Sequence, residues 1–387
     1  MKAALMHAYH EPLELVERRL PDVSAPTDVL VRVGGAGVCA TDLHAIDGLM
    51  EPAGVTLPLV LGHENAGWVE AVGIGVTTVA AGDAVLVYPP FSCGLCVACR
   101  RGNDMHCVRH QFTGLSVDGG FADFVLVSER SLVPLPAGVE PVDVAPHADA
   151  GLTAYHAVRR VAHLAVPGST AVVIGVGGVG HIAVQLVREL GSSTVIAVDT
   201  DERRRRLATE LGAAEVIDGS GAVDAVRDLT GGRGADLVFD FVGTDETHAG
   251  SAAMLARGGT YSVIGYGGTI SIPSPALVVD EHAVVGNLVG TWIDLWELLQ
   301  LHAVGRLARR APPGRGPRAD DPRRRAAPRR RIRPRRDGLR PHLAHAPLGL
   351  DGFPGGGAPG RHRPRRPADR RLAGGRGRQR LGRPRAR

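Results

Sequence analysis

Residues 171–190 read AVVIGVGGVGHIAVQLVREL. Four uninterrupted apolar residues, a glycine-rich turn and ten residues with apolar positions at helical spacing predict strand, tight turn and helix in that order. A G-x-G-x-x-G pattern alone carries little weight in a chain with 52 glycines. Set between a buried strand and an amphipathic helix, it predicts a turn that cradles the pyrophosphate of a dinucleotide. Gly175 permits the tight turn, Gly177 and Gly178 leave the backbone open to the phosphates at the helix N-terminus, and Gly180 lets helix and strand pack closely. Further along come TVIAVD (194–199), DERRRRLATELG (201–212), DLVFDFVG (236–243) and YSVIGYG (261–267). Strand and helix alternating in this way predict an α/β fold with a doubly wound parallel sheet. AVVGNLVG (283–290) and TWIDLWELLQLHAVGRL (291–307) supply one more strand and a last helix. Trp292 and Trp296 in that helix are expected to be core residues, the cleft or an interface being the alternative.

Asp199 closes the strand that follows the turn, nineteen residues beyond Gly180. A carboxylate there accepts the adenosine ribose hydroxyls and repels a 2′-phosphate, which favours NAD over NADP. Arg203 to Arg206 could offset such a phosphate, but with Asp199 present the run reads as a solvated helix face.

Residues 1–150 have a different texture. Short β-rich runs such as DVLVRVGGAGV (28–38), GDAVLVYPP (82–90) and GGFADFVLVSE (119–129) are broken by Gly, Pro and Asp, predicting an irregular, mostly antiparallel β domain. Four of the five cysteines lie in SCGLCVACRRGNDMHC (92–107), as C-x2-C-x2-C-x7-C. Four thiolates on one tight loop suit a closed tetrahedral zinc site, so Cys93, Cys96, Cys99 and Cys107 are expected to hold a structural zinc. No apolar run has the length of a signal peptide or a membrane span, and a soluble, cytoplasmic protein without membrane partners is expected.

GVCATDLH (37–44) and LGHENAGWVEAVGIGV (61–76) carry the remaining chemistry; the second fits G-H-E-x2-G-x5-G-x2-V. Together with the four-cysteine loop and the nucleotide turn, these segments resemble the zinc-containing medium-chain alcohol dehydrogenases, in register from residue 1 to about 305. The resemblance implies a GroES-like catalytic domain at 1–150 and a Rossmann NAD-binding domain at 151–305. It implies a second, catalytic zinc held by Cys39 and His63, with a third ligand at the start of DAGLTAYHAV (149–158). Asp149 takes that place, as in bacterial secondary-alcohol dehydrogenases, and His147 is its local competitor. Three protein ligands leave one position open for a substrate oxygen. Asp42 and Glu64 match supporting carboxylates, Asp42 behind the ligand imidazole. Thr41 and His44 match a proton relay that runs through the nicotinamide ribose. Arg204 matches a ribose-contacting base, and Thr153 a nicotinamide-contacting hydroxyl. The activity implied is reversible hydride transfer between NAD and a secondary or aryl alcohol, with a polyol or amino alcohol as the alternative. A zinc-free reductase of the same superfamily would lack these ligands.

The charge is divided. Residues 1–305 hold 18 basic and 35 acidic groups, whereas residues 306–387 hold 27 arginines, five aspartates and neither Lys nor Glu. An acidic body argues against nucleic acid as a partner of the folded part. The tail is expected to be disordered. Arg, Pro, Gly and Ala are also what out-of-frame reading of a GC-rich gene gives, so a frameshift near residue 306 is expected, checked by resequencing across codons 295–315. Such a product would lack the segment that returns to the β domain and is expected to be unstable and inactive. A homodimer or homotetramer is expected where the C-terminus is intact.

Overall fold

The computed structural model describes residues 1–51, 54–109 and 111–307. The basic tail lies outside the described residues from 308 onward, and the expectations of disorder and frameshift fall there. Eight strands form in the first 134 residues: β1 (Lys2–Met6), β2 (Glu14–Glu17), β3 (Asp28–Gly37), β4 (Leu59–Val60), β5 (Glu64–Val72), β6 (Ala84–Val87), β7 (Phe124–Ser128) and β8 (Leu132–Pro134). They pair antiparallel throughout, as a small sheet β2-β1-β4 and a five-stranded sheet β7-β3-β5-β6-β8. Val29, Val31, Val69, Val85, Val87, Val125 and Val127 fill the interior of the larger sheet. β-branched residues suit such a half-buried pleat.

Six strands follow: β9 (Thr170–Ile174), β10 (Thr194–Val198), β11 (Glu215–Ile217), β12 (Ala235–Asp240), β13 (Leu255–Val263) and β14 (Ala283–Gly286). They form one parallel sheet in the order β11-β10-β9-β12-β13-β14. Every residue of β9 is buried, the pattern of a parallel strand covered on both faces. The order reverses between β9 and β12, and the crevice beyond the carboxyl ends of these strands is where such sheets bind ligands.

One apolar core runs from Leu86, Tyr88 and Val133 of the antiparallel sheet into Leu152, Leu186, Leu295 and Leu298 beside the parallel one. Polar contacts follow the same seam. Tyr88 donates its hydroxyl to the Gly290 carbonyl (2.8 Å), and Trp292 donates Nε1 to the Leu132 carbonyl (3.0 Å). Trp292 is therefore a seam residue, whereas Trp296 is 41% exposed, a correction to its reading as core. It follows a buried Leu295 on the helix Trp292–Ala303 and projects from the other face.

That helix is tied down by Asp294, whose side chain is 2% exposed. Its carboxylate accepts from Thr291 N and Oγ1, Arg159 and His156 Nδ1 at 2.6–2.9 Å. Burial opposes the charge, but His156 and Thr291 outweigh it and hold the carboxyl far below the ordinary range. Asp294→Ala leaves the buried His156 without its carboxylate and Arg159 with Glu297 alone, and urea unfolding is expected to show a loss of about 3 kcal/mol. A depressed carboxyl stabilises fully above its unfolded value of about 4 and loses that contribution as pH falls toward the folded value. The variant should therefore show a flatter acid limb of stability against pH; an unchanged limb would refute the assignment.

Candidate active site and structural metal centre

Cys39 follows β3 and caps the helix Ala40–Ile46, and Asp42 Oδ2 accepts the Cys39 amide (2.9 Å). His63 precedes β5, held by Gly62 at φ +98°, where a Cβ would also run into Phe121. Asp149 stands at the start of the helix Ala150–Val161. Residues 110 positions apart in sequence meet here: Cys39 Sγ lies 3.4 Å from Asp149 Oδ2, which is 3.5 Å from His63 Nε2. His63 Nδ1 lies 3.2 Å from Asp42 Oδ1, so the ring offers Nε2 to the cluster and turns its other nitrogen to the buried carboxylate.

The charges describe what the cluster is built for. Burial works against a charged His63, yet Asp149, Asp42 and Cys39 outweigh it and hold the imidazole well above its ordinary value. Asp149, mostly shielded from solvent, is held below the ordinary carboxyl range by His63, Cys39 and Thr153, which outweigh that desolvation. Burial, and then the charge of Asp149, push Glu64 up to about 8, while its Oε1 accepts the Ala150 amide (3.3 Å) at the start of the Asp149 helix. A thiol, an imidazole and a carboxylate, with donor atoms all within 4.8 Å of one another, fit a divalent cation of zinc's borderline softness. His147, the local competitor, is turned away: its Nε2 faces His302 Nδ1 at 3.0 Å, and burial with that neighbour pulls it down to about 3.

Thr41 Oγ1 lies 3.6 Å from Cys39 Sγ, at the edge of the cluster. Thr153 donates its hydroxyl to Asp149 Oδ1 (3.4 Å), so it braces the carboxylate in addition to the nicotinamide contact that the resemblance implies. Tyr266, beyond β13, was not legible in the sequence. Its hydroxyl lies 3.2 Å from Thr41 Oγ1 and 3.0 Å from His44 Nδ1. The one signal that could have found it is its position at the carboxyl end of a parallel strand, where ligands bind.

The dinucleotide turn has the geometry its glycines require. Gly175 adopts φ +84°, and a Cβ on Gly180 would sit 1.8 Å from the Gly175 carbonyl oxygen. Gly178 is open on every side, and Gly177 meets only the Arg204 guanidinium. Asp199 is buried; its Oδ2 accepts the Val176 amide (2.7 Å), and Arg204 lies 3.7 Å from it. Of the four arginines, Arg203, Arg204 and Arg206 are exposed, while Arg205 bonds the Asp199 carbonyl (2.7 Å).

Cys93, Cys96, Cys99 and Cys107 converge in a separate lobe, their Sγ atoms within 4.8 Å of one another and none disulfide-bonded. Backbone amides of Cys99 and Val108 pull the Cys96 thiol down to about 6, whereas burial and Cys96 push Cys99 up to about 12. Four sulfurs this close suit a tetrahedral zinc, which would hold all four as thiolates.

A doubly wound sheet with a glycine turn, set against a three-donor metal cluster, defines a metal-dependent dinucleotide oxidoreductase. Comparison with known proteins gives the family. The alcohol dehydrogenase GroES-like domain profile matches residues 25–137, and the zinc-binding dehydrogenase profile matches residues 178–303. An NAD-dependent alcohol dehydrogenase of Sulfolobus acidocaldarius is 37% identical over 317 residues, covering 79% of this chain and 90% of the relative. The D-arabinose 1-dehydrogenase (NADP(+)) of Saccharolobus solfataricus is 34% identical over 313 residues, covering 79% and 88%. Among solved structures, the alcohol dehydrogenase of Aeropyrum pernix superposes with a TM-score of 0.77 at 42% identity, over 79% of this chain and 91% of that one. The chain belongs to the zinc-containing alcohol dehydrogenase family. Among the described residues, no helix is long and apolar enough to cross a membrane.

Proposed function

We propose that the protein catalyses reversible hydride transfer between a secondary or aryl alcohol and NAD+, giving a ketone or aldehyde, NADH and a proton. The observation that carries this reading is the convergence of Cys39, His63 and Asp149, next to the Thr41 hydroxyl and in the same molecule as a glycine-turn dinucleotide site. Bound by these three side chains, zinc supplies Lewis acidity toward the alcohol oxygen, and the nicotinamide supplies the hydride acceptor.

The rest is work for the chain's own groups. One thiolate and one carboxylate formally cancel the charge of a divalent ion, which keeps the site from trapping an anion. Asp42 fixes the ring of His63 and Thr153 braces Asp149, so the donors keep their geometry. Glu64 holds the amide at the start of the Asp149 helix. Thr41 takes the alcohol proton, and His44 passes it to water. Asp199 and Arg204 receive the adenosine ribose, and the Asp199 charge repels a 2′-phosphate. Cys93, Cys96, Cys99 and Cys107 would hold a second zinc, whose part there would be structural. The partly exposed edge strand β14 supports assembly into a dimer or tetramer.

The carboxylate at position 149 motivates the choice of secondary and aryl alcohols. In an assay of NADH formation by the zinc-loaded chain, 1-phenylethanol and 2-propanol are expected to turn over faster than sorbitol, threonine or D-arabinose, and NAD+ is expected to outperform NADP+. A faster rate with a polyol or sugar would overturn the substrate class; zinc-independent turnover would overturn the mechanism.

A further inference from the structure

We infer that Asp240 is a positioning residue for hydride transfer: beneath the carboxyl ends of β12 and β13 it ties together the two loops that receive the nicotinamide half of the cofactor. The inference rests on the dehydrogenase reading above and adds a residue to it. The course of the cofactor over the sheet follows from the groups already placed. Asp199, just after β10, takes the adenosine ribose, and the glycine turn after β9 takes the pyrophosphate. The nicotinamide half then continues in sheet order over the carboxyl ends of β12 and β13. The loops that stand there are 241–243 and 264–268.

Asp240 is the last residue of β12 and holds both loops. Its Oδ1 accepts the amides of Val242 (2.8 Å) and Gly243 (3.0 Å) in the first, and its main-chain carbonyl accepts those of Ile264 (3.0 Å) and Gly265 (2.9 Å) in the second. Its Oδ2 reaches the far end of the second loop through two further side chains. Tyr261 donates its hydroxyl to Oδ2 (3.0 Å) and lies 2.6 Å from His248 Nδ1, while His248 Nε2 lies 2.9 Å from the Gly267 carbonyl. Asp240, Tyr261 and His248 are at most 3% exposed, so substrate does not touch them and their effect on the reaction runs through the loops. A carboxylate buried this deeply stays only where donors surround it, and the three on Asp240 all belong to this network.

The two loops also touch backbone to backbone. A Cβ on Gly243 would stand 2.3 Å from the Gly265 carbonyl carbon, and one on Gly265 would stand 2.4 Å from that of Val242. The first loop in turn meets the pyrophosphate turn, where the Phe241 amide donates to the Ile174 carbonyl (3.0 Å) and a Cβ on Gly175 would run into Val242. With contacts this close, a shift of the first loop is passed to the second. Hydride transfer is sensitive to such a shift, because the reacting atoms must approach to about 3–3.5 Å and a misplacement of about 1 Å costs on the order of 100-fold in rate.

Asp240→Ala, Asp240→Asn and Tyr261→Phe are made in the full, zinc-loaded chain and titrated by calorimetry with NADH and with ADP-ribose, which lacks the nicotinamide. Asp240→Ala releases the side-chain hold on both loops. Its Kd for NADH is expected to rise at least about tenfold and its kcat to fall on the order of 100-fold, while its Kd for ADP-ribose and its zinc content stay parental. Asp240→Asn keeps an oxygen for the Val242 and Gly243 amides and is expected to recover part of both losses. Tyr261→Phe keeps the ring in the core and cuts only the link to His248, and its kcat is expected to fall about tenfold. A Kd for ADP-ribose that rises in step with that for NADH would mean a general loosening of the fold and overturns the proposal. Parental NADH affinity and kcat in Tyr261→Phe overturn it as well, and this variant decides alone if Asp240→Ala does not fold. A parent with neither NADH binding nor zinc-dependent turnover fails the dehydrogenase reading itself, and this proposal with it.

Discussion

His63→Ala is expected to lower kcat/KM for alcohol oxidation more than about 100-fold and to reduce zinc from two ions per chain to one. Groups that merely support a ligand cost about 10–100-fold when removed, and a ligand costs more. The reason lies in the cluster's geometry. His63 is 1% exposed and stands between two carboxylates, with Nδ1 facing Asp42 and Nε2 facing Asp149. Without the ring, two anionic groups and a thiol enclose a cavity whose only neutral donor is gone, and a cation there keeps two ligands of three. Asp42→Asn serves as the graded control: it leaves the ligand in place and weakens its support, so it should retain both zinc ions and lose activity within that 10–100-fold range. Measured by metal analysis beside steady-state kinetics, two ions retained by His63→Ala would remove it from the ligand set.

The two halves of the molecule were legible to different degrees, for physical reasons. β9, the turn at Gly175–Gly180 and the helix Gly180–Leu190 follow from periodicity alone, because a parallel strand covered on both faces must be continuously apolar and a phosphate turn must be glycine. The antiparallel sheets left a weaker trace: β4 is two residues long, and β3 shifts register twice against β5, so no alternation survives long enough to give the pairing. The candidate metal ligands are easiest to read where they share a loop, as in 93–107. The pairing of Cys39 and His63 with Asp149 needed a family resemblance, because 110 residues separate Cys39 from Asp149 and no local pattern marks Asp149 over His147. The structure adds the physical ground, since His147 is turned into a partly buried contact with His302. Tyr266 stayed hidden because its contact with His44 comes from the approach of a loop to a helix 222 residues away. Trp296 misled because an aromatic in an apolar helix resembles core, while this helix buries only one face.

Cys99→Ala is expected to remove the other zinc, lower Tm by more than about 5 °C and open the lobe to trypsin, while the His63 site keeps its ion. The segment from Cys93 to Cys107 has little else to hold it. Its only regular elements are a four-residue helix at Val97–Arg100 and a three-residue 3-10 turn at Asp104–His106. Leu95, Val97 and Val108 are more than 60% exposed, so the lobe lacks an apolar core of its own. A segment of this kind draws its folding free energy from the metal, as small zinc modules do. The consequence reaches the rest of the molecule through Asp104, which accepts the Trp292 amide (3.1 Å) and so couples the lobe to the helix after β14. Losing the ion frees Asp104, loosens that seam and sets the already exposed Arg100, Arg101 and Arg109 on a mobile chain. Cleavage should therefore start at these arginines in the variant and not in the parent. The two single variants should each keep one zinc and the double variant none, because the two clusters share no ligand. A Cys99→Ala protein with two zinc ions and parental resistance to trypsin would show that the lobe folds on contacts other than its four thiolates.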